Sequence, residues 1–292
     1  MPTHGWVGLF VVGAAEVLLV AGHRRVGEWF TPIVWTGYIL FVDGLVHART
    51  GQSYLTTRRR ELPGVVAASI GGWWLFELYN APRFWRGGAD LQGLWWQYHN
   101  LEPNFFLRLV GYSWAFATIF PALFLTGEWL KATILAGLSG RRSVRLPGWA
   151  RAVSICVGGV AVVLPLVVVS QWLVTLVWVG FVLLLEPINY RRNAPSWLRE
   201  TEAGDYRTLA ALLGSGLICG LLWEFWNYWA LTKWTYTVPY GGSLKLFEMP
   251  VLGYLGFPPF ALEAFAMYTF LRSLVAPTDS HPNPLPGRER ER

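Results

Sequence analysis

"WTGYILFVDGLVHARTGQSYL", residues 35–55, aligns without a gap to "WVGFVLLLEPINYRRNAPSWL", residues 178–198. Trp35 matches Trp178, Gly37 matches Gly180 and Leu40 matches Leu183; Arg49 matches Arg192, Ser53 matches Ser196 and Leu55 matches Leu198. Asp43 falls on Glu186, so each copy carries an acid at the same position. After an insertion of four residues in the second copy, Glu77 and Asn80 fall on Glu224 and Asn227. A match across two apolar segments and the loop between them reads as an internal duplication, which has to be considered before any fold is assigned.

Composition says what kind of fold is duplicated. The chain of 292 residues is 53% hydrophobic and only 14% charged, against about 25% charged in soluble domains. Its apolar residues fall in blocks of the ~20 residues that cross a bilayer as a helix. Eight spans are expected, at 6–22, 30–48, 63–81, 105–127, 150–169, 172–189, 207–231 and 255–274, the fifth and sixth parted only by a tight turn. The expected fold class is therefore all-α: a polytopic membrane protein of about eight transmembrane helices in two four-helix repeats. Residues 1–140 form the first unit, 141–276 the second, and the proline-rich, charged 277–292 a disordered tail. Four spans return the chain to the face it left. The two units should then be parallel, related by an axis along the membrane normal.

The basic residues orient the chain. If the N-terminus and alternate loops share a face, that face holds 17 of the 24 Lys/Arg, in residues 49–60, 131–151, 191–207 and after 271, and the other face 7. Positive charge marks the cytoplasmic side, so both termini are expected in the cytoplasm. The net charge of +6 is accounted for by these loops, and no nucleic-acid partner is expected. The N-terminus lacks a basic region followed by a small-residue cleavage site, so the first apolar block reads as a retained helix.

Much chemistry is left without support. Cys156 and Cys219 lie in apolar blocks and read as buried thiols. The five histidines (4, 23, 47, 99 and 281) show no metal-ligand spacing. There is no Walker loop, dinucleotide fingerprint or HExxH. No metal and no cofactor are expected; the expected partners are the bilayer and a lipophilic small molecule, with oligomeric state left open.

Acids inside apolar spans carry the remaining information. Glu16, Asp43, Glu77, Glu186, Glu224 and Glu263 all fall there, where an ionised carboxylate costs about 2.5–3.5 kcal/mol at a helix centre. Such groups must pair, protonate or line water. Asp43 and Glu186, each followed six residues later by an arginine, read as interfacial caps that fix a loop. Glu16 and Glu128 read as structural. Asn80 and Asn227 lie three residues after Glu77 and Glu224, on the same helix face. Each carboxyl–amide pair is either a polar clamp or half of a site. Most of the 18 tryptophans suit an interfacial belt, but "WTYTVPYGGSLKLFEMPVLGYLGFPPFALEAF" (234–265) is organised like a re-entrant loop over a lipophilic cavity.

A neutral carboxylic acid in an aromatic cavity can protonate an alkene or epoxide, and aromatic faces stabilise the resulting cation. The candidate acids are Glu224, Glu77 and Glu263; the candidate substrate-binding residues are Asn227, Asn80, Trp223, Trp226, Trp234 and Tyr236. "WTY" at 234–236, "FPPFALE" at 257–263 and "WEFW" at 223–226 resemble motifs of the integral-membrane lycopene cyclases and the related membrane-bound terpene cyclases. The resemblance covers about a third of the chain. It implies cofactor-free cyclisation of an isoprenoid or carotenoid-type lipid. Two other classes fit the same acids: a transporter with a midplane carboxylate site, whose helix breaks would fall near Pro121, Pro165 or Pro258–Pro259, and a non-catalytic scaffold using acids as helix glue.

Overall fold

A computed structural model describes residues 1–82, 93–239, 241–242 and 244–275; the expected tail at 277–292 lies outside the described residues. Among those residues the helices are α1 (Thr3–Val20), α2 (Arg24–Glu28), α3 (Phe30–Thr50), α4 (Leu62–Asn80), α5 (Phe105–Ala117), α6 (Ile119–Thr133), α7 (Gly148–Val167), α8 (Val174–Arg191), α9 (Trp197–Glu202), α10 (Arg207–Trp229) and α11 (Phe257–Val275). Each expected span falls on one of them, with 105–127 divided between α5 and α6. Six helical segments are long and apolar enough to cross a membrane: α1, α3, α5 with α6, α7, α8 with the turn before it, and α10. Six helices of that kind are the mark of an integral membrane protein. Helices α4 and α11 are not among the six, for a physical reason. Trp73, Trp74, Glu77 and Tyr79 lower the mean hydropathy of α4, and two prolines, Glu263 and Arg272 that of α11; much of each helix is turned toward protein, α11 most of all.

Glycine sets how closely α1 and α7 approach their neighbours. A methyl group on Gly8 would lie 2.4 Å from the backbone nitrogen of Phe41, and one on Gly158 would lie 2.4 Å from that of Leu184. Phe41 and Leu184 are aligned positions of the two copies. Close backbone approach of this kind is how small residues hold membrane helices together.

The acids at the loop ends act as expected. Asp43 accepts from the Tyr54 and Leu55 N–H groups at 2.8 and 3.4 Å. Glu186 accepts from the Leu198 N–H at 3.0 Å and the Ser196 hydroxyl at 2.6 Å. Both carboxyls are buried and tie the following loop back to the helix. The aligned arginines also have matching targets. Arg49 donates to the Ala132 carbonyl near the end of α6, and Arg192 to the Ser273 hydroxyl and carbonyl near the end of α11. A cation at a helix C-terminus meets the negative end of its dipole.

The α5–α6 break has a local cause. Pro121 has no N–H, so the helix cannot run through unbroken. The Ser69 hydroxyl of α4 inserts there, donating to the Phe116 carbonyl at 2.5 Å and accepting from the Phe120 N–H at 2.9 Å.

Aromatic contacts in the core join α3 to α10 and α4 to α8. Trp35 on α3 packs on Trp223 and Trp226 of α10 at 5.1 and 5.0 Å between ring centroids. Trp178 on α8 stacks on Phe76 of α4 at 5.4 Å. Tyr38 meets Trp226 at 6.0 Å, and Phe181 meets Tyr79 at 6.3 Å. In the alignment Trp35 corresponds to Trp178, Tyr38 to Phe181, Trp223 to Phe76 and Trp226 to Tyr79. The Trp35–Trp223 and Tyr38–Trp226 contacts thus have counterparts in Trp178–Phe76 and Phe181–Tyr79, with the aligned segments exchanged.

Candidate functional site

Two short strands sit beyond the ends of α4 and α10. Strand β1 (Trp96–His99) pairs antiparallel with β2 (Lys233–Tyr236), with Trp96 opposite Tyr236 and Tyr98 opposite Trp234. Each is a Trp-x-Tyr segment. Of the two, only the one in β2 is among the motifs read above from the sequence; Trp96-Gln97-Tyr98 follows Asn80 by 16 residues, whereas Trp234 follows Asn227 by 7. The signal that could have found it is the shared order Glu-x-x-Asn…Trp-x-Tyr.

The asparagines hold the strands. Asn80 accepts from the Trp95 and Trp96 N–H groups at 2.9 and 3.2 Å and donates to the Trp96 carbonyl at 2.9 Å. Asn227 accepts from the Trp234 N–H at 2.9 Å and donates to the Trp234 carbonyl at 2.8 Å. At both strands the amide engages both backbone groups of the tryptophan, as a clamp does. Asn227→Leu is expected to destabilise the protein by about 2–4 kcal/mol, because two backbone groups lose their partner at once. Thermal unfolding in detergent checks this; an unchanged midpoint would mean that the strand is held by something else.

The glutamates receive the tyrosines of the same strands. Glu77 Oε1 accepts from the Tyr98 hydroxyl at 2.5 Å, Trp73 Nε1 at 3.0 Å and Trp96 Nε1 at 3.1 Å. Glu224 Oε1 accepts from the Tyr236 hydroxyl at 2.7 Å, and Trp234 Nε1 donates to that hydroxyl at 2.8 Å. Burial first, and then the neighbouring Glu77, hold the Tyr98 phenol well above its ordinary range; burial and Glu224 do the same for Tyr236. Both phenols therefore stay protonated and remain donors. Glu224 Oε2 is buried and has no hydrogen-bond partner among the described residues.

A cavity of about 1090 Å³ lies between these elements. Its wall is aromatic, with Trp35, Trp73, Trp96, Tyr98, Tyr112, Phe116, Trp178 and Phe260. Of the candidate residues, Glu224, Trp223, Trp234 and Tyr236 stand in that wall, while Glu77, Asn80, Asn227, Trp226 and Glu263 are not among its lining residues. Trp73, Trp96 and Tyr98 form the wall where Glu77 is bonded. Trp226 donates to Glu16 at 2.9 Å, which gives both a helix-joining role. Glu263, fully buried, accepts from the Phe181 N–H at 2.9 Å and lies about one helical turn beyond the cavity residues Pro259 and Phe260. At one end the cavity reaches Arg24, Glu28, Glu102, Arg108 and Lys233, in or beside the segments 21–29, 93–104 and 230–256. The arrangement offers a large apolar volume and many ring faces, with the Glu224 carboxyl among the rings and Glu28 and Glu102 toward the charged end. Among the described residues no group of three or more His, Cys, Asp or Glu could hold a metal ion.

No protein-family model, curated protein or solved structure matches the chain.

Proposed function

We propose that this integral membrane protein takes a lipophilic, isoprenoid-type molecule into the aromatic cavity and isomerises it by acid catalysis at Glu224. The observation that carries the reading is the cavity itself. Ligand pockets usually hold roughly 300–1,000 Å³ and are mainly apolar with a few placed polar groups. This one, at about 1090 Å³, suits a long hydrocarbon and has Glu224 in its wall. In the proposed reaction the Glu224 carboxylic proton adds to an alkene carbon. A second alkene then closes the ring on the resulting cation, and the carboxylate takes a proton back from an adjacent C–H. Atoms balance and the product is an isomer. Tryptophan and tyrosine faces around the cavity stabilise the cation.

The architecture behind this reading is a parallel tandem duplication, 1–140 and 141–276, with α4 and α11 crossing the membrane as the seventh and eighth spans. It is supported by the paired loop caps, the exchanged ring contacts and the two amide clamps. With both termini cytoplasmic, the rim of the cavity faces away from the cytoplasm. A reporter fused after residue 275 is expected to behave as cytoplasmic, and a signal from the opposite side would reverse the orientation.

The function is tested by expressing the protein in bacteria that accumulate linear polyenes. The expected result is a new lipid of unchanged mass with absorption at shorter wavelength, since ring closure consumes double bonds. Lipid extracts with no such isomer would overturn the catalytic reading.

A further inference from the structure

The charged end of the cavity holds a cation with no counter-charge among the described residues. Six charged side chains line that end: Arg24, Arg25, Glu28, Glu102, Arg108 and Lys233. Glu28 takes both Arg24, at 2.8 Å, and Arg25, at 3.4 Å. Lys233 pairs with Glu248 at 2.6 Å. Glu102 accepts from the Asn104 N–H at 3.2 Å, in the turn that opens α5. Arg108 has neither an ion pair nor a side-chain hydrogen bond among the described residues.

Helix α5 fixes which way that cation faces. Phe105, Phe106, Leu109 and Val110 are exposed apolar residues on its outer side. Arg108, Gly111, Tyr112 and Ala115 follow one another at i, i+3, i+4 and i+7, so they share a face, and all four line the cavity. An arginine that only snorkels to the membrane surface has no need of the cavity side. Cations in membrane helices are rare, and those without a protein partner commonly mark a ligand path. Successive turns of this stripe, about 5.4 Å apart, carry the Arg108 guanidinium, the Tyr112 ring and the Phe116 ring. The two rings stack at 5.5 Å between centroids. A charge followed by apolar surface is the complement of an amphiphile.

We infer that Arg108 binds the anionic head, a phosphate monoester, of an isoprenoid-type lipid whose chain runs past Tyr112 and Phe116 into the aromatic cavity. The planar guanidinium matches two phosphate oxygens with two parallel N–H groups. A phosphate keeps its first negative charge on partial burial, where a carboxylate takes up a proton more readily. Glu28 and Glu102 on the same rim repel further negative charge, which favours a monoester over a diphosphate. The inference rests on reading the cavity as a chamber for lipophiles, and it names the end of the ligand that the reaction at Glu224 leaves unchanged.

The test uses the full chain purified in an uncharged detergent, with retinyl phosphate and retinol as probes. Both absorb where tryptophan emits, so occupancy of a tryptophan-lined cavity is read as quenching of protein fluorescence. Comparing wild type with Arg108→Gln cancels the different partitioning of the two probes into micelles. Retinyl phosphate is expected to bind the wild type about tenfold or more tighter than Arg108→Gln, the usual effect of hydrogen bonds to a charged group. Retinol should bind both proteins alike. Arg108→Lys keeps the charge without the fork and should recover part of the difference. Glu102→Gln removes a charge of the ligand's own sign and should bind retinyl phosphate at least as tightly as the wild type. Millimolar inorganic phosphate should not displace retinyl phosphate, because it lacks the chain. Equal binding of retinyl phosphate to wild type and Arg108→Gln would overturn the inference while retinol quenching leaves the lipophile chamber standing. An equal loss of both probes in Arg108→Gln would make Arg108 a group that shapes the cavity and would also overturn it. Weaker binding in Glu102→Gln would mean that Glu102 helps to hold the head, against an anionic one. Displacement by inorganic phosphate would make this a site for the free anion. Quenching by neither probe would overturn the chamber reading and the inference together.

Discussion

Glu224→Gln is expected to abolish isomer formation, by about 10²–10⁴-fold, while the protein still folds. The amide has the shape of the acid, and its oxygen can still accept from the Tyr236 hydroxyl, which lies 2.7 Å from Glu224 Oε1. What it lacks is a transferable proton. The measurement pairs lipid analysis of the expressing cells with thermal unfolding of the purified variant. Lost product with an unchanged unfolding midpoint supports acid catalysis. Retained product would sink it and make Glu224 a structural group. Loss of both product and fold would make the carboxyl a clamp, the other reading open to a Glu–Asn pair in a membrane helix.

The second large effect is expected far from the cavity. Arg58→Ala should destabilise the protein by about 3–5 kcal/mol, because removing one partner of a buried ion pair leaves the other charge uncompensated. Arg58 donates to both oxygens of Glu128, at 2.8 and 2.5 Å, in a bidentate pair. Glu128 is buried, and the guanidinium also lies 4.4 Å from the centroid of the Tyr54 ring. Burial would lower the Arg58 pKa, but the Glu128 charge outweighs it and holds the guanidinium ionised beyond its ordinary range. Arg58→Ala combined with Glu128→Leu is expected to recover most of the loss, since both charges then leave together. Chemical unfolding of the two variants measures the difference. A single variant as stable as the wild type would mean that the pair is solvated and contributes little.

Helix placement was legible because it depends on local chemistry. Runs of apolar residues had to become helices in lipid, where each backbone group must be paired within its own segment. The expected spans all fall on helices, and the tight turn at 168–173 is a single turn of 3-10 helix, Gln171–Leu173. The break between α5 and α6 was only partly legible. Pro121 marks a break in the sequence itself, but the inserted Ser69 hydroxyl comes from another helix. The internal sequence match is plain where residues correspond, as at Asp43 and Glu186, and hidden where spacing differs, as in the segment before Trp96.

What the amino-acid sequence determined by itself is therefore the membrane-helical class, the aligned halves, and which carboxyls and amides recur at matching positions, because each follows from periodicity, composition and order along the chain. It could not separate Glu224 from Glu77, or the asparagines from either. That separation depends on which groups meet in three dimensions. Asn80 and Asn227 became clamps because two strands fold back over the ends of α4 and α10. Glu77 gains a third donor because Trp73, one helical turn before it, turns its N–H onto the carboxyl. Glu224 lacks that donor because the aligned position is Gly220, filled by Phe257 from a helix that begins 37 residues later in the chain. Hydrogen-bond donors have to arrive within about 3 Å and from the right direction to satisfy an acceptor, and only the packed bundle decides which of them arrive.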